Sequence, residues 1–141
     1  MRLTEGDMRR AIQMLQSMHQ LHGGRIEAQA VFDMSGALPR PLVSRVFAVC
    51  RGQNFDAMEA LVQEMIADGY PAEQLIGQML DAMMSNSGAA GGINSMQKAK
   101  IALQLAEVDK SLVDGADEYL QITNLLASTM RTLRPMPQAV A

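Results

Sequence analysis

The chain has 141 residues and a mass of 15.3 kDa, room for one ordinary domain or two small ones. With 48% hydrophobic and 19% charged residues it is not a disordered tail, and its single Cys excludes an internal disulfide. The net charge of −3 is unevenly spread: residues 1–51 hold 7 Arg against 4 acids, residues 52–94 hold 6 acids and no Lys or Arg, and residues 95–141 hold 5 of each. A middle third without cations is a poor surface for a phosphate backbone, which needs Lys and Arg to displace counterions. No uninterrupted apolar run approaches the ~18 residues that span a bilayer, so no membrane partner is expected. The opening segment, Met1 to Asp7, lacks the apolar stretch of a signal peptide.

Aromatics are scarce at 4%, Trp is absent, and 13 Met join Leu and Ala in place of the β-branched and aromatic residues that sheets favour. The composition predicts an all-α fold, and the periodicity divides it into seven helices. The first runs from about Asp7 to His22, with Met8, Ala11, Ile12, Leu15, Met18, His19 and His22 on one stripe. Gly23-Gly24 supplies its left-handed end. A second helix covers about Ile26 to Met34 and stops near Gly36. The segment Gly36-Ala37-Leu38-Pro39-Arg40-Pro41 then marks a domain boundary, because two prolines within three residues exclude a helix interior but suit a first turn.

The third helix, about Pro41 to Arg51, should be stopped by Gly52. The fourth places Phe55, Met58, Leu61, Val62, Met65 and Ile66 on one face and acids on the other. After Gly69-Tyr70-Pro71 a fifth helix reaches about Met84 and should bury Leu75, Ile76, Met79, Leu80 and Met83. Residues 85–94 read as a flexible Ser/Gly/Ala linker. Ser95 is the expected N-cap of a long sixth helix with the stripe Ile101, Leu105, Val108 and Leu112, ended by Gly115. The seventh, about Asp117 to Leu133, carries Leu120, Leu126, Met130 and Leu133 before Pro135 and Pro137.

Signatures of chemistry are few. The phosphate-cradling GxxxxGK[ST] loop, GxGxxG, GxSxG and HExxH are absent from the sequence, and one Cys cannot build a Cys-rich zinc site. His19 and His22 share a helix face, yet no third ligand follows at metal-binding spacing, and a histidine near a helix C-terminus already suits the dipole. Cys50 ends an apolar face and reads as a core thiol, with Arg51 beside it. Arg9 and Arg10 stand in a first turn, where cations oppose the dipole. That pair is compatible with a surface helix that tolerates the penalty or with a helix start that meets an anion such as a nucleotide phosphate.

Longer stretches carry a resemblance. Gly6-Asp7-Met8-Arg9-Arg10-Ala11-Ile12-Gln13-Met14-Leu15-Gln16 resembles the sensor-2 helix of the clamp-loader clade of AAA+ ATPases, usually GDxRxxxNxLQ. The run Val31 to Gly36, Phe55-Asp56 with Asp68-Gly69-Tyr70, and above all Leu105 to Gln121 (LAEVDKSLVDGADEYLQ) are similar to the small subunits of eukaryotic replication factor C, in particular the subunit 4 branch. The likeness covers about residues 4–134.

It implies that residues 1–36 are the end of a helical AAA+ lid, that residues 38–134 are a five-helix collar domain that joins the other subunits, and that residues 135–141 are a flexible tail. It further implies that Arg9 is the sensor-2 arginine reaching the ATP phosphate in the full-length protein, with Arg10 the weaker candidate, and that this stretch binds no cofactor by itself. Without Walker motifs the stretch is expected to be no enzyme on its own. Sliding clamp and primer–template DNA would be met through an AAA+ domain outside this sequence, in the nucleus. Gln13 departs from the family's usual Asn, and the 85–95 loop is longer than usual.

Two other readings stand beside this one. Residues 7–34 could be a helix-turn-helix-like DNA-binding module with Arg9, Arg10 and Arg25 on phosphates, and the chain could be a free-standing helical homo-oligomer.

Overall fold

A computed structural model describes residues 6–85 and 90–134. These form α1 (Met8–His22), α2 (Ala28–Ser35), α3 (Arg40–Gly52), α4 (Phe55–Ala67), α5 (Ala72–Met84), α6 (Ser95–Val113) and α7 (Glu118–Leu133), with no strand among the described residues. The fold is all-α, as the composition predicts. The chain divides into two compact units, residues 1–37 and 38–141. The tail at 135–141 and the middle of the expected linker, residues 86–89, lie outside the described residues.

In the smaller unit, Asp7 is extended and caps α1: its carboxylate accepts from the backbone N–H of Arg9 at 2.8 Å and of Arg10 at 3.2 Å. That satisfies two of the donors a helix start leaves over and offsets the missing acid in the first turn. Gly23, at φ 63°, ends the helix and returns its N–H to the His19 carbonyl at 3.0 Å. Of the apolar stripe only Met18 is buried, while Ile12 is 51% and Leu15 58% exposed. Length explains this: α2 has 8 residues, about 12 Å of helix, against 15 residues and about 22 Å in α1.

The larger unit packs α3 to α7 around one core, with α7 against α3, α4 and α6, and α5 against α6 and α3. The helix-4 stripe is buried at Met58, Leu61, Val62 and Met65, and helix 6 buries Ile101, Leu105 and Val108. Three expected core residues are instead exposed: Phe55, Leu80 and Leu120. At 100° per residue, Leu80 lies at the edge of the arc set by Leu75, Met79 and Met83, and Phe55 sits in an uncovered first turn. Leu120 faces away altogether, because its six-residue step to Leu126 is not a helical repeat. The true α7 face is Ile122, Leu125, Leu126, Thr129 and Met130. Buried Thr129 donates to the Leu125 carbonyl at 2.8 Å, and among the described residues no buried side-chain nitrogen or oxygen lacks a partner.

Helix ends also differ from the sequence reading. Gly52 does not stop α3; it is the last helical residue, and Gln53 takes the left-handed conformation at φ 55°. The Gln53 side chain accounts for this, donating to the carbonyls of Cys50 at 2.9 Å and Met130 at 2.8 Å and so tying the end of α3 to α7. Asn94, not Ser95, caps α6, in a reciprocal box: the Gln97 N–H donates to Asn94 Oδ1 at 2.8 Å and the Asn94 N–H to Gln97 Oε1 at 3.1 Å. Pro71 has no side chain with which to cap α5. The carboxylate of Glu118, in the first turn of α7, accepts the Ala72 N–H instead at 2.7 Å.

Gln53→Ala loses both hydrogen bonds and keeps the left-handed strain, so it lowers unfolding free energy by about 1–3 kcal/mol. Gln53→Gly relieves the strain and falls between wild type and Ala. Urea unfolding of the two variants measures the order.

Candidate functional site

Sequence reading singles out the start of α1, and the structure places both of its arginines on the surface. Arg9 and Arg10 occupy the second and third helical positions and are exposed. Their backbone N–H groups are engaged by Asp7. Among the described residues neither guanidinium makes an ion pair. Two permanent, forked cations thus stand exposed at a helix start whose first backbone donors are already taken by the Asp7 carboxylate. Gln13, one turn further along α1, is also exposed.

His19 and His22 lie exposed in the last turn of α1, and no cluster of three or more His, Cys, Asp or Glu with metal-binding proximity occurs among the described residues. Arg25, the third arginine of the helix-turn-helix reading, is exposed in the turn between α1 and α2. Cys50 is fully buried, and its S–H points to the Leu126 carbonyl at 3.8 Å. Burial pushes the thiol's pKa up to about 12, against the weaker opposite pull of Arg51. Arg51 itself donates to the Gly91 carbonyl at 2.7 Å, so the latter part of the segment expected as a flexible linker is instead anchored, with Ala90 and Ile93 buried.

The larger unit is held by polar ties at its helix ends. Lys98 donates to the Met83 carbonyl at the end of α5 (2.7 Å), and the Gln97 amide to the Thr132 carbonyl near the end of α7 (3.0 Å). Tyr119 donates to Glu59 at 3.2 Å. On the surface, Arg45 bridges from α3 to Glu64 on α4 at 2.7 Å, and that hydrogen bond holds the Glu64 carboxyl below its ordinary range.

What these ties leave outside is apolar in places. Leu103 is 73%, Val113 82% and Leu120 61% exposed on α6 and α7, and Met84 and Met96 are exposed on either side of the linker. Large apolar side chains held out on helices, two of them flexible thioethers, are material for a protein interface. Of the tying residues, only the Asn94-x-x-Gln97 pair carries a local sequence signal. Gln53 and Glu118 act across the fold on partners 77 and 46 positions away, so no short-range pattern announces them.

The geometry defines a helical module whose features are an apolar core, tied helix ends and uncovered apolar side chains. Residues 39–128 match the replication factor C C-terminal domain. Replication factor C subunit 2 of Oryza sativa subsp. japonica is 44% identical over 138 residues, covering 98% of this chain and 40% of the relative. Subunit 4 of Arabidopsis thaliana is 43% identical (96% and 39% covered), and subunit 4 of Homo sapiens 41% (94% and 35% covered). The chain belongs to the replication factor C family and spans about two fifths of the length of these curated relatives. The helix-turn-helix and free homo-oligomer readings are not favoured by these similarities.

Cys50 should not react with a thiol reagent in the native chain at pH 7.5 and should react fully in denaturant. Because folding raises the thiol's pKa, its protonated form favours the folded state fully below the unfolded value near ~8.5. That contribution is lost as pH rises from there toward about 12. Labelling kinetics, and stability against pH compared with Cys50→Ala, measure both effects.

Proposed function

We propose that this chain is the C-terminal part of a clamp-loader small subunit. Its larger unit is the collar that joins neighbouring replication factor C subunits in the complex that loads a sliding clamp onto primer–template DNA. The observation that carries the reading is the match of residues 39–128 to the replication factor C C-terminal domain, within a likeness that covers nearly the whole chain. Its surface supports the same role. Helices α4 and α5 carry the cation-free, acidic stretch, unsuited to a DNA backbone, while Leu103, Val113 and Leu120 offer apolar contact.

In this reading residues 1–36 are the end of an AAA+ lid. Arg9 meets the ATP phosphate when the nucleotide-binding domain of the full-length protein is present, and Arg10 has the lesser role. A guanidinium suits the task because its charge is permanent and its donors are paired in one plane. The fragment alone turns over no ATP. Clamp and DNA are met by the AAA+ domain, and the site of action is the nucleus.

Two variants separate the roles. Leu103→Glu, at an exposed position, leaves stability within about 0.5 kcal/mol. It lowers co-purification with the other small subunits if α6 lies in an interface, and unchanged assembly would remove α6 from it. In the full-length subunit within its complex, Arg9→Ala lowers ATP turnover on the order of ten-fold or more without loss of assembly. Arg10→Ala has a smaller effect. Equal turnover in wild type and Arg9→Ala would contradict the sensor assignment.

A further inference from the structure

The chain changes character where the smaller unit gives way to the larger. Gly36 closes α2 in the left-handed conformation at φ 63°, and the Ala37 N–H donates to Ser35 Oγ at 3.3 Å. Leu38, 1% exposed, belongs to the core cluster of the larger unit, whereas Ala37, itself only 6% exposed, is not among the residues of that cluster. Leu38 lies in no helix or sheet, so neither its N–H nor its C=O has a ladder partner, and burying both unpaired would be costly.

One side chain on α5 takes both groups. With its amide turned so that nitrogen faces the carbonyl, Gln78 donates from Nε2 to Leu38 O at 2.9 Å and accepts at Oε1 from Leu38 N at 2.9 Å. The opposite orientation would set donor against donor and acceptor against acceptor, so the backbone itself selects this one. Immediately downstream, Pro39 occupies the N-cap position of α3 and Pro41 stands in its first turn, each with a restricted φ.

We propose that Gln78 is a latch that clamps Leu38 as the fixed end of a hinge, confining the chain's freedom between the two units to Gly36 and Ala37. The pair of hydrogen bonds does for this residue what a neighbouring strand would do in a sheet, and the prolines keep the restraint continuous into α3. Motion upstream of Leu38 then pivots at two residues and does not unravel the start of the larger unit. Gln78 is a positioning residue in this scheme. The inference rests on the geometry at 36–41 and α5, independently of the assigned family role.

Nuclear magnetic resonance on the 141-residue chain tests it without any variant. Backbone order parameters should be near ~0.85 at Leu38 and lower at Gly36 and Ala37. A mobile Leu38, or a segment 35–39 of uniform rigidity, would overturn the proposal. In Gln78→Ala, amide exchange at Leu38 should quicken about ten-fold or more and proteolytic nicking at 36–39 should rise, while Leu125 and Leu126 amides keep their protection. Gln78→Glu keeps the acceptor for the Leu38 N–H and loses the donor to its carbonyl, so it should fall between. Exchange at Leu38 that is unchanged, or that quickens only in step with Leu125 and Leu126, would show that Gln78 is no latch.

Discussion

Everything in the larger unit depends on burying α7. This helix is covered by α3, α4 and α6, and its inward face of Ile122, Leu125, Leu126, Thr129 and Met130 is the surface against which those helices find their places. Apolar burial of this kind is strong but has no direction, so by itself it does not set where each helix ends. The polar ties supply that. Gln53 locks the end of α3 to Met130, Gln97 reaches Thr132, and Glu118 caps α5 from the first turn of α7. Each such bond adds only about 1 kcal/mol, yet each would leave an unsatisfied group if the helix slid by one residue. Cys50 belongs to the same arrangement: its buried thiol faces the Leu126 carbonyl at 3.8 Å and packs the contact between α3 and α7.

Much of this was legible before any coordinates. Seven helices, the Pro-rich segment at 36–41 and the cores of α4 and α6 follow from 3.6-residue periodicity and from Gly and Pro punctuation. The failures are instructive because each has a local cause. Leu120 was placed on the core face by its hydrophobicity, against its register with Leu126. Gly52 reads as a helix stop because glycine is the common left-handed residue, and nothing local shows that Gln53 can hold that conformation through a bond to a carbonyl 77 positions away. Ser95 reads as the cap by residue type, whereas Asn94 and Gln97 form the box. Of the candidate site, the exposure of Arg9 and Arg10 could be anticipated from their place in a first turn. The surface set of Leu103, Val113 and Leu120 could not, since an apolar residue on a helix reads as core until the other helices are placed.

The two units differ in how complete they are as folded bodies. The larger closes a core in which, among the described residues, every buried side-chain nitrogen and oxygen has a partner, and it leaves several apolar side chains exposed on its helices. The smaller leaves Ile12 and Leu15 half open over a two-helix contact. This contrast suits the proposed division of labour, in which a rigid assembly module carries a nucleotide-responsive element. In the proposed reading assembly is the central role, and the exposed arginines of α1 act only when a phosphate is brought to them.

The most direct measurement is the solution mass of the chain by light scattering on a sizing column, alone and after mixing with the other replication factor C small subunits. A shift into a single hetero-oligomeric species of defined mass is the predicted result. A chain that ignores those subunits while forming a stable oligomer of its own would contradict the collar role and leave the family likeness as a statement about ancestry and fold.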